Sequence, residues 1–140
     1  SGRPFSSFGP GLEAYPATPF TQVGLRVDRE VLDRRISDRY RHQLEDGFLD
    51  EVRWLAALDG GPSRSAAQAL GYSELLAHLR GECTLADAIA DAVAATRRFA
   101  RRQERWFRRD PRIEWFDVGA DPLKVLEAVL ERFDRCGDPG

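Results

Sequence analysis

The sequence predicts a predominantly helical α/β fold that contributes two short strands to a parallel sheet. Residues 21–27 and 113–116 are short segments with the apolar, alternating composition of strands. The long stretch between them has the periodicity of helices. Because two strands this far apart do not make a free-standing sheet, we expect them to lie parallel and adjacent, or nearly so, in a sheet with further strands outside this chain.

The first helices are bounded by recognisable start and stop residues. Asp28 follows the first strand and caps a helix that ends near Asp46 and is closed by Gly47. A second helix spans about residues 49–58 and stops at the Gly60-Gly61-Pro62 turn. A short third helix follows Tyr72 and ends near residue 80.

The second half of the chain carries the longest helix. Thr84 and Asp87 resemble a capping box and predict the start of a helix that ends near Asp110-Pro111. The strand at residues 113–116 follows. Asp121 and Pro122 then predict the start of a last amphipathic helix, which runs to about residue 135.

Length and composition indicate one domain at most. The chain has 140 residues, of which 42% are hydrophobic and 31% charged, enough for one sizeable core. It contains no methionine, even at position 1, so we expect a piece of a longer protein. We divide it into a turn-rich connector at residues 1–20, a core at residues 21–117, and a terminal helix and tail at residues 118–140.

The cysteines and histidines do not have the spacing of a metal site. Cys83 and Cys136 have no CxxC partner, and His42 and His78 share no ligand spacing with them. Unpaired thiols are ordinary in a reducing compartment. No apolar run approaches the roughly 20 residues that span a bilayer. We therefore expect a cytoplasmic monomer that does not bind a membrane.

Arginines and apolar residues occupy opposite sides of the long helix. At 100° per residue, one arc holds the apolar seam: Leu85, Ala88, Ile89, Ala92, Val93, Phe99, Ala100, Trp106 and Phe107. The other side, the arginine face, holds Arg97, Arg98, Arg101, Arg102, Arg105, Arg108 and Arg109. We expect Trp106 and Phe107 to be buried and the arginines from Arg101 to Arg108 to be exposed.

Charge is distributed unevenly along the chain. Residues 97–112 hold eight arginines and two acidic residues, a net charge of +6, while the whole chain has −2, which leaves −8 for the remainder. This pattern indicates either a solvated helix face on its own domain or a helix that follows the phosphates of a polyanion.

Two polar residues interrupt the apolar seam. Thr96 and Gln103 lie near its centre, where an unpaired polar group costs about 1–3 kcal/mol, so each needs a partner. For Gln103 we expect a hydrogen bond to the backbone near Gly71-Tyr72 or a place along the path of a ligand.

Arg35 and Arg39 form a second anomaly in the first helix. On the helical wheel they fall within the apolar stripe of Val31, Leu32 and Ile36, so we expect them to face inward and to need an anion. Either an internal carboxylate or a diphosphate would serve.

Four segments of the chain resemble segments of the tRNA dimethylallyltransferases, and they occur in the same order along both sequences. Thr96-Arg-Arg-Phe-Ala-Arg-Arg-Gln103 with Trp106 and Arg108 is similar to the TRxxAKRQxxWxR signature of that family. Gln68-Ala-Leu-Gly-Tyr72 with Glu74 resembles its IGYxE segment, Arg35-Ile-Ser-Asp-Arg39 its RIxxR helix, and Ser1-Gly-Arg-Pro4 its TGRP turn.

The resemblance implies a specific activity and fold. Members transfer a dimethylallyl group from dimethylallyl diphosphate to the exocyclic amine of the adenosine 3′ of the tRNA anticodon, with Mg²⁺, on a P-loop-kinase-like fold. We expect the P-loop, the general base and most metal ligands to lie upstream, so no catalytic residue is assigned here. The alternative is a non-catalytic helical module that binds RNA or a partner protein.

The resemblance also assigns site residues. Arg39 would bind the diphosphate, with Arg35 as its helper or as a structural partner. The tRNA-binding set would be Gln68, Gly71, Tyr72, Ser73, Arg97, Arg101, Arg102, Gln103, Arg105 and Arg108.

Overall fold

The computed structural model describes residues 14–119 and 121–134. Its contacts divide the chain into two compact units. Residues 29–102 form one, here called the helical unit, and residues 1–28 with 103–140 form the other, here called the sheet unit. The similarity of residues 1–4 to the TGRP turn lies outside the described residues.

The helical unit contains four helices and most of a fifth. They are α1 (Arg29–Glu45), α2 (Phe48–Ala57), α3 (Arg64–Ala67), α4 (Tyr72–Leu79) and α5 (Leu85–Phe107). Four of these were predicted. The single-turn helix α3 was not; it begins at Ser63, whose hydroxyl accepts a hydrogen bond from Ala66 N over 3.2 Å.

One cluster of buried side chains joins four of these helices. It consists of Ile36, Tyr40, Phe48, Val52, Leu75, Leu76, Ala88 and Ala92. Helix α5 contributes alanines to this cluster, and alanine side chains let neighbouring side chains approach a helix closely. Partly buried Ala100 is the last residue of α5 that packs against the core in the described part of the chain.

The start of α5 differs from a capping box in one respect. Thr84 Oγ1 accepts from Asp87 N over 3.1 Å, as expected of an N-cap. The Asp87 carboxylate, however, accepts from the Thr84 hydroxyl over 2.6 Å. The aspartate is one methylene shorter than the glutamate usual at this position, which favours the nearer hydroxyl over the cap's backbone N–H.

The sheet unit contains a parallel strand pair. Strands β1 (Gln22–Arg26) and β2 (Ile113–Asp117) pair with Gln22 opposite Ile113 and Arg26 opposite Asp117. The prediction of parallel, adjacent strands is therefore confirmed. At the centre of the pair, a Cβ on Gly24 would lie 2.6 Å from Trp115 Cε3, so only glycine leaves room for the indole.

Ion pairs hold the ends of the two strands. Arg26 Nε and Nη2 donate to the two carboxylate oxygens of Asp117 over 2.5 and 2.7 Å, and these bonds lower the pKa of Asp117. Before β2, Arg112 binds Asp110 through two nitrogens and also donates to the Pro16 carbonyl oxygen over 2.9 Å.

The last predicted helix begins with a tighter turn than expected. Asp121 Oδ1 accepts from Leu123 N over 3.0 Å, as its capping role predicts. The following Pro122–Val125 segment is a 3₁₀ turn, and α6 (Leu126–Asp134) continues from it. The predicted end near residue 135 lies outside the described residues.

Candidate functional site

A concavity in the helical unit brings together residues from α1, α2 and the segment before α4. Its volume is about 360 Å³. It is lined by Arg39, Tyr40, Gln43, Asp46, Phe48, Glu51, Leu70 and Tyr72. Two sequence-predicted site residues, Arg39 and Tyr72, therefore line the same concavity although they are far apart in the chain.

Arg35 and Arg39 do not face inward as expected. Both side chains are exposed, whereas Ile36 and Tyr40 are the buried residues of α1. Ile36 and Tyr40 are one turn apart and share a face, and each arginine precedes one of them by about 100° around the helix. The buried apolar stripe of α1 is narrower than the helical wheel suggested, so both arginines lie outside it.

Arg39 nevertheless lines the concavity. Its Cζ atom lies 5.8 Å from the centroid of the adjacent Tyr40 ring, a cation–π distance. No carboxylate among the described residues forms an ion pair with Arg39. A guanidinium in an open concavity without an acidic partner can bind an external anion through paired N–H donors.

Gly71 fixes the segment that runs from Gln68 to Ser73. Its φ of +89° is a left-handed conformation that L side chains rarely adopt, and a Cβ there would lie 3.0 Å from the Tyr40 ring and 3.1 Å from the Phe48 ring. Glu74 closes the turn, because its Oε2 accepts from Gly71 N over 2.9 Å and from Ser73 Oγ over 2.7 Å. Within this segment Gln68 is exposed and Ser73 is half-buried.

Tyr72 forms a wall of the concavity and is held on two sides. Its hydroxyl donates to Glu51 Oε1 over 2.6 Å, and its ring packs edge-to-face against Phe48 at 5.0 Å. The hydrogen bond to Glu51 raises the pKa of Tyr72, and partial burial adds to the effect. The sequence reasoning missed Glu51, since an acidic residue in the first turn of a helix is ordinary.

Thr96 satisfies the expectation that it has partners. Its hydroxyl donates to the Ala92 carbonyl oxygen over 2.9 Å and lies 2.9 Å from the Tyr40 hydroxyl. Because the single hydroxyl hydrogen of Thr96 is used on Ala92, Tyr40 is the donor in the second bond.

Arg97 also contacts α1 and is not a freely exposed member of the arginine face. Its Nη2 donates to the Asp33 carbonyl oxygen over 3.0 Å and to Ser37 Oγ over 2.9 Å. Its Nε lies 3.7 Å from Asp33 Oδ1. The aliphatic part of an arginine side chain packs well against a neighbouring helix, so this position suits an interhelical contact.

The remaining arginines of the predicted tRNA-binding set are exposed, as expected. These are Arg101, Arg102, Arg105 and Arg108. Arg108 pairs with Glu104 one turn earlier over 2.6 Å, and the Arg102 guanidinium lies 5.8 Å from the Phe99 ring centroid. Exposed pairs of this kind are weak and readily exchange their partner for a phosphate.

The prediction that Trp106 and Phe107 are buried is wrong. Trp106 is 56% and Phe107 is 42% exposed. The apolar periodicity continues along α5, but its buried part ends at Thr96, the last buried residue of the helix. Gln103, likewise expected on a buried stripe, is exposed.

Within residues 14–119 and 121–134, no three histidine, cysteine, aspartate or glutamate side chains are placed to hold a metal ion. None of the described helices combines the length and apolar character needed to cross a bilayer.

Together the fold and the site define an α/β protein with a parallel strand pair, a concavity lined by Arg39 together with Asp46 and Glu51, and a helix that presents exposed arginines. Residues 1–110 match the family described as IPP transferase. The chain belongs to this family.

Individual relatives agree with this assignment. The chain is 51% identical over 122 residues to a tRNA dimethylallyltransferase of Kocuria rhizophila, covering 87% of this chain and 38% of that protein. It is 45% identical over 136 residues to one of Streptomyces coelicolor, covering 96% and 43% respectively. The chain therefore spans about two fifths of the length of these relatives.

Solved structures give the same result for the fold. A tRNA isopentenylpyrophosphate transferase of Bacillus halodurans superposes with a TM-score of 0.73 at 30% identity, over 84% of this chain and 40% of that one. A second, from Staphylococcus epidermidis, has a TM-score of 0.72 at 25% identity, over 81% and 38%.

Proposed function

We propose that this chain belongs to a tRNA prenyltransferase and supplies two of its functions: binding the diphosphate leaving group and binding the tRNA backbone. Its substrates would be tRNA and dimethylallyl diphosphate. The observation that carries the proposal is the combination of family membership with Arg39, which lines the concavity and forms no ion pair within the described residues, although Asp46 and Glu51 line the same concavity.

The reaction needs a positively charged group beside the leaving diphosphate, and Arg39 can be that group. The exocyclic nitrogen of the adenosine forms a bond to C1 of the dimethylallyl group, while the bond from C1 to the diphosphate oxygen breaks and the amine loses a proton. Negative charge therefore grows on the leaving diphosphate. A guanidinium stays charged at all physiological pH values and stabilises that charge through two parallel N–H donors.

The exposed arginines of α5 can bind the tRNA backbone. Arg101 and Arg105 are one turn apart, and Arg101 and Arg108 are two turns apart on the same side of the helix. They can therefore contact successive phosphates of a backbone. Such contacts position the RNA without reading its sequence. The Gln68–Ser73 segment would contribute further contacts, with Tyr72 available for stacking on an unpaired base.

Other parts of the proposal follow from the family. We assign the chain to a P-loop-kinase-like fold, which the parallel pairing of β1 and β2 supports. The proposal includes Mg²⁺ but gives no described residue as its ligand. It also includes a cytoplasmic location and a monomeric state.

The decisive experiment replaces Arg39 by Met in the complete gene product and measures prenylation of tRNA. We expect lower turnover and a weaker interaction with dimethylallyl diphosphate, by about 1.5–3 kcal/mol for the lost charged hydrogen bonds, with unchanged tRNA affinity. Arg34→Met, an exposed arginine on the same helix, is the matched control. Unchanged kinetics of Arg39→Met, or a wild-type protein that does not prenylate tRNA, would overturn the proposal.

A further inference from the structure

We infer that Thr96 and Arg97, the first two residues of the arginine-rich signature, are positioning residues for Arg39. They hold α1 in the rotation that directs Arg39 into the concavity, and Arg97 is not primarily a tRNA contact. This inference rests on the proposed function, because it concerns how the diphosphate-binding arginine is placed.

Thr96 and Arg97 contact α1 at three points along two turns. Tyr40 donates to Thr96, which is 7% exposed and is the described polar residue buried most deeply in this unit's core. Arg97 Nη2 bonds both the Asp33 carbonyl oxygen and Ser37 Oγ. Residues 33, 37 and 40 lie on one side of a helix, because they are four and three positions apart.

These contacts determine the rotation of α1 about its own axis as well as its distance from α5. Apolar contacts alone allow a helix to turn by small angles, since they are non-directional. Hydrogen bonds at separate points along one side of α1 require a particular rotation. Arg39 immediately precedes Tyr40, so the bond from Tyr40 to Thr96 also sets the direction in which the Arg39 side chain leaves the helix.

One nitrogen of the Arg97 guanidinium, Nη2, is already engaged inside the protein. Nη2 makes two hydrogen bonds, and Nε is buried without a hydrogen-bond partner of its own in the described residues. A phosphate would have to break the contacts with Asp33 and Ser37 to use the same fork. The neighbouring Arg98 and Arg101 are exposed and would bind a phosphate without this cost.

Binding of inorganic pyrophosphate to the complete gene product tests the inference, measured by isothermal titration calorimetry. We expect Thr96→Val and Arg97→Met each to weaken binding about fivefold, the equivalent of one lost hydrogen bond. Thr96→Ser keeps the hydroxyl and should bind like the wild type. Arg34→Met, exposed on α1, is the control for loss of one positive charge.

A second measurement separates positioning from direct RNA contact. The salt dependence of tRNA affinity should be unchanged in Arg97→Met, because no phosphate contact is lost. If Arg97→Met instead lowers the slope by about one counterion and leaves pyrophosphate affinity intact, the inference is wrong and Arg97 is a backbone contact.

The other outcomes of the pyrophosphate titration distinguish failure of this inference from failure of the proposed function. If Arg39→Met weakens pyrophosphate binding while Thr96→Val and Arg97→Met do not, the inference fails and the proposed function stands. If Arg39→Met binds like the wild type, the assigned role of Arg39 fails and the inference fails with it. Should Thr96→Val not fold, Tyr40→Phe carries the test, since it removes one hydroxyl, keeps the ring in the core and should also bind about fivefold more weakly.

Discussion

The Tyr40 hydroxyl donates a hydrogen bond to Thr96 Oγ1 over 2.9 Å, across 56 residues of sequence. Thr96 passes its own hydrogen to the Ala92 carbonyl oxygen. The three groups form a chain in which every hydroxyl hydrogen has an acceptor, inside a core that is otherwise apolar. This chain joins the helix that carries Arg39 to the helix that carries the exposed arginines.

The Tyr40–Thr96 bond predicts non-additive stability changes. Thr96→Val leaves a buried phenol hydrogen without an acceptor and should cost about 1–3 kcal/mol of the free energy of unfolding. Tyr40→Phe should cost about 1 kcal/mol, and the double variant clearly less than the sum of the two. Urea unfolding of the four proteins measures this. Strict additivity would show that the two hydroxyls act independently.

Gly71 and Gly47 provide a matched pair for separating backbone strain from crowding. Both have positive φ, +89° and +96°, but a Cβ would meet the Tyr40 and Phe48 rings only at Gly71. Gly47→Ala should cost about 1–2 kcal/mol for the left-handed conformation alone. Gly71→Ala should cost at least about 1 kcal/mol more, since the rings must move. Equal unfolding free energies for the two variants would contradict the crowding.

The bidentate pair of Asp110 and Arg112 predicts a specific acid sensitivity. Hydrogen bonds from Arg112 lower the pKa of Asp110 in the folded protein. The stabilisation is thus fully present above the unfolded-state pKa, about 3.9, and is lost as the pH falls through the lower folded-state value. Asp110→Asn should reduce the unfolding midpoint at pH 7, and its difference from the wild type should shrink toward pH 2. A difference that stays constant with pH would contradict the assignment.

The exposed arginines of α5 predict a salt effect on tRNA binding. Replacing Arg101 and Arg105 together by Met should weaken binding and reduce the slope of log affinity against log salt by about 1.5, for two lost phosphate contacts. Pyrophosphate affinity should not change. Filter binding between about 50 and 200 mM salt measures the slope. The same affinity and slope in the double variant would mean that this face is merely solvated.

Local sequence signals determined most of the elements. Gly47 ended α1, the threonine at position 84 began α5, and Asp121 capped the final turn, because caps and turns depend on residues within a few positions of one another. The parallel pairing of β1 and β2 also agreed with the sequence, since the long helical segment between them is the kind of crossover that a parallel pair needs. The family signature identified Arg39 and Tyr72, which the structure places around one concavity.

Tertiary packing decided what periodicity could not. A helical wheel shows which residues share a face, but it does not show how wide the buried stripe is or how far the core extends along a helix. Arg39 therefore lies at the edge of the stripe and not within it, and Trp106 is exposed although it continues the seam. The bond between Tyr72 and Glu51 was equally out of reach, because no local rule pairs a phenol with a carboxylate 21 residues away.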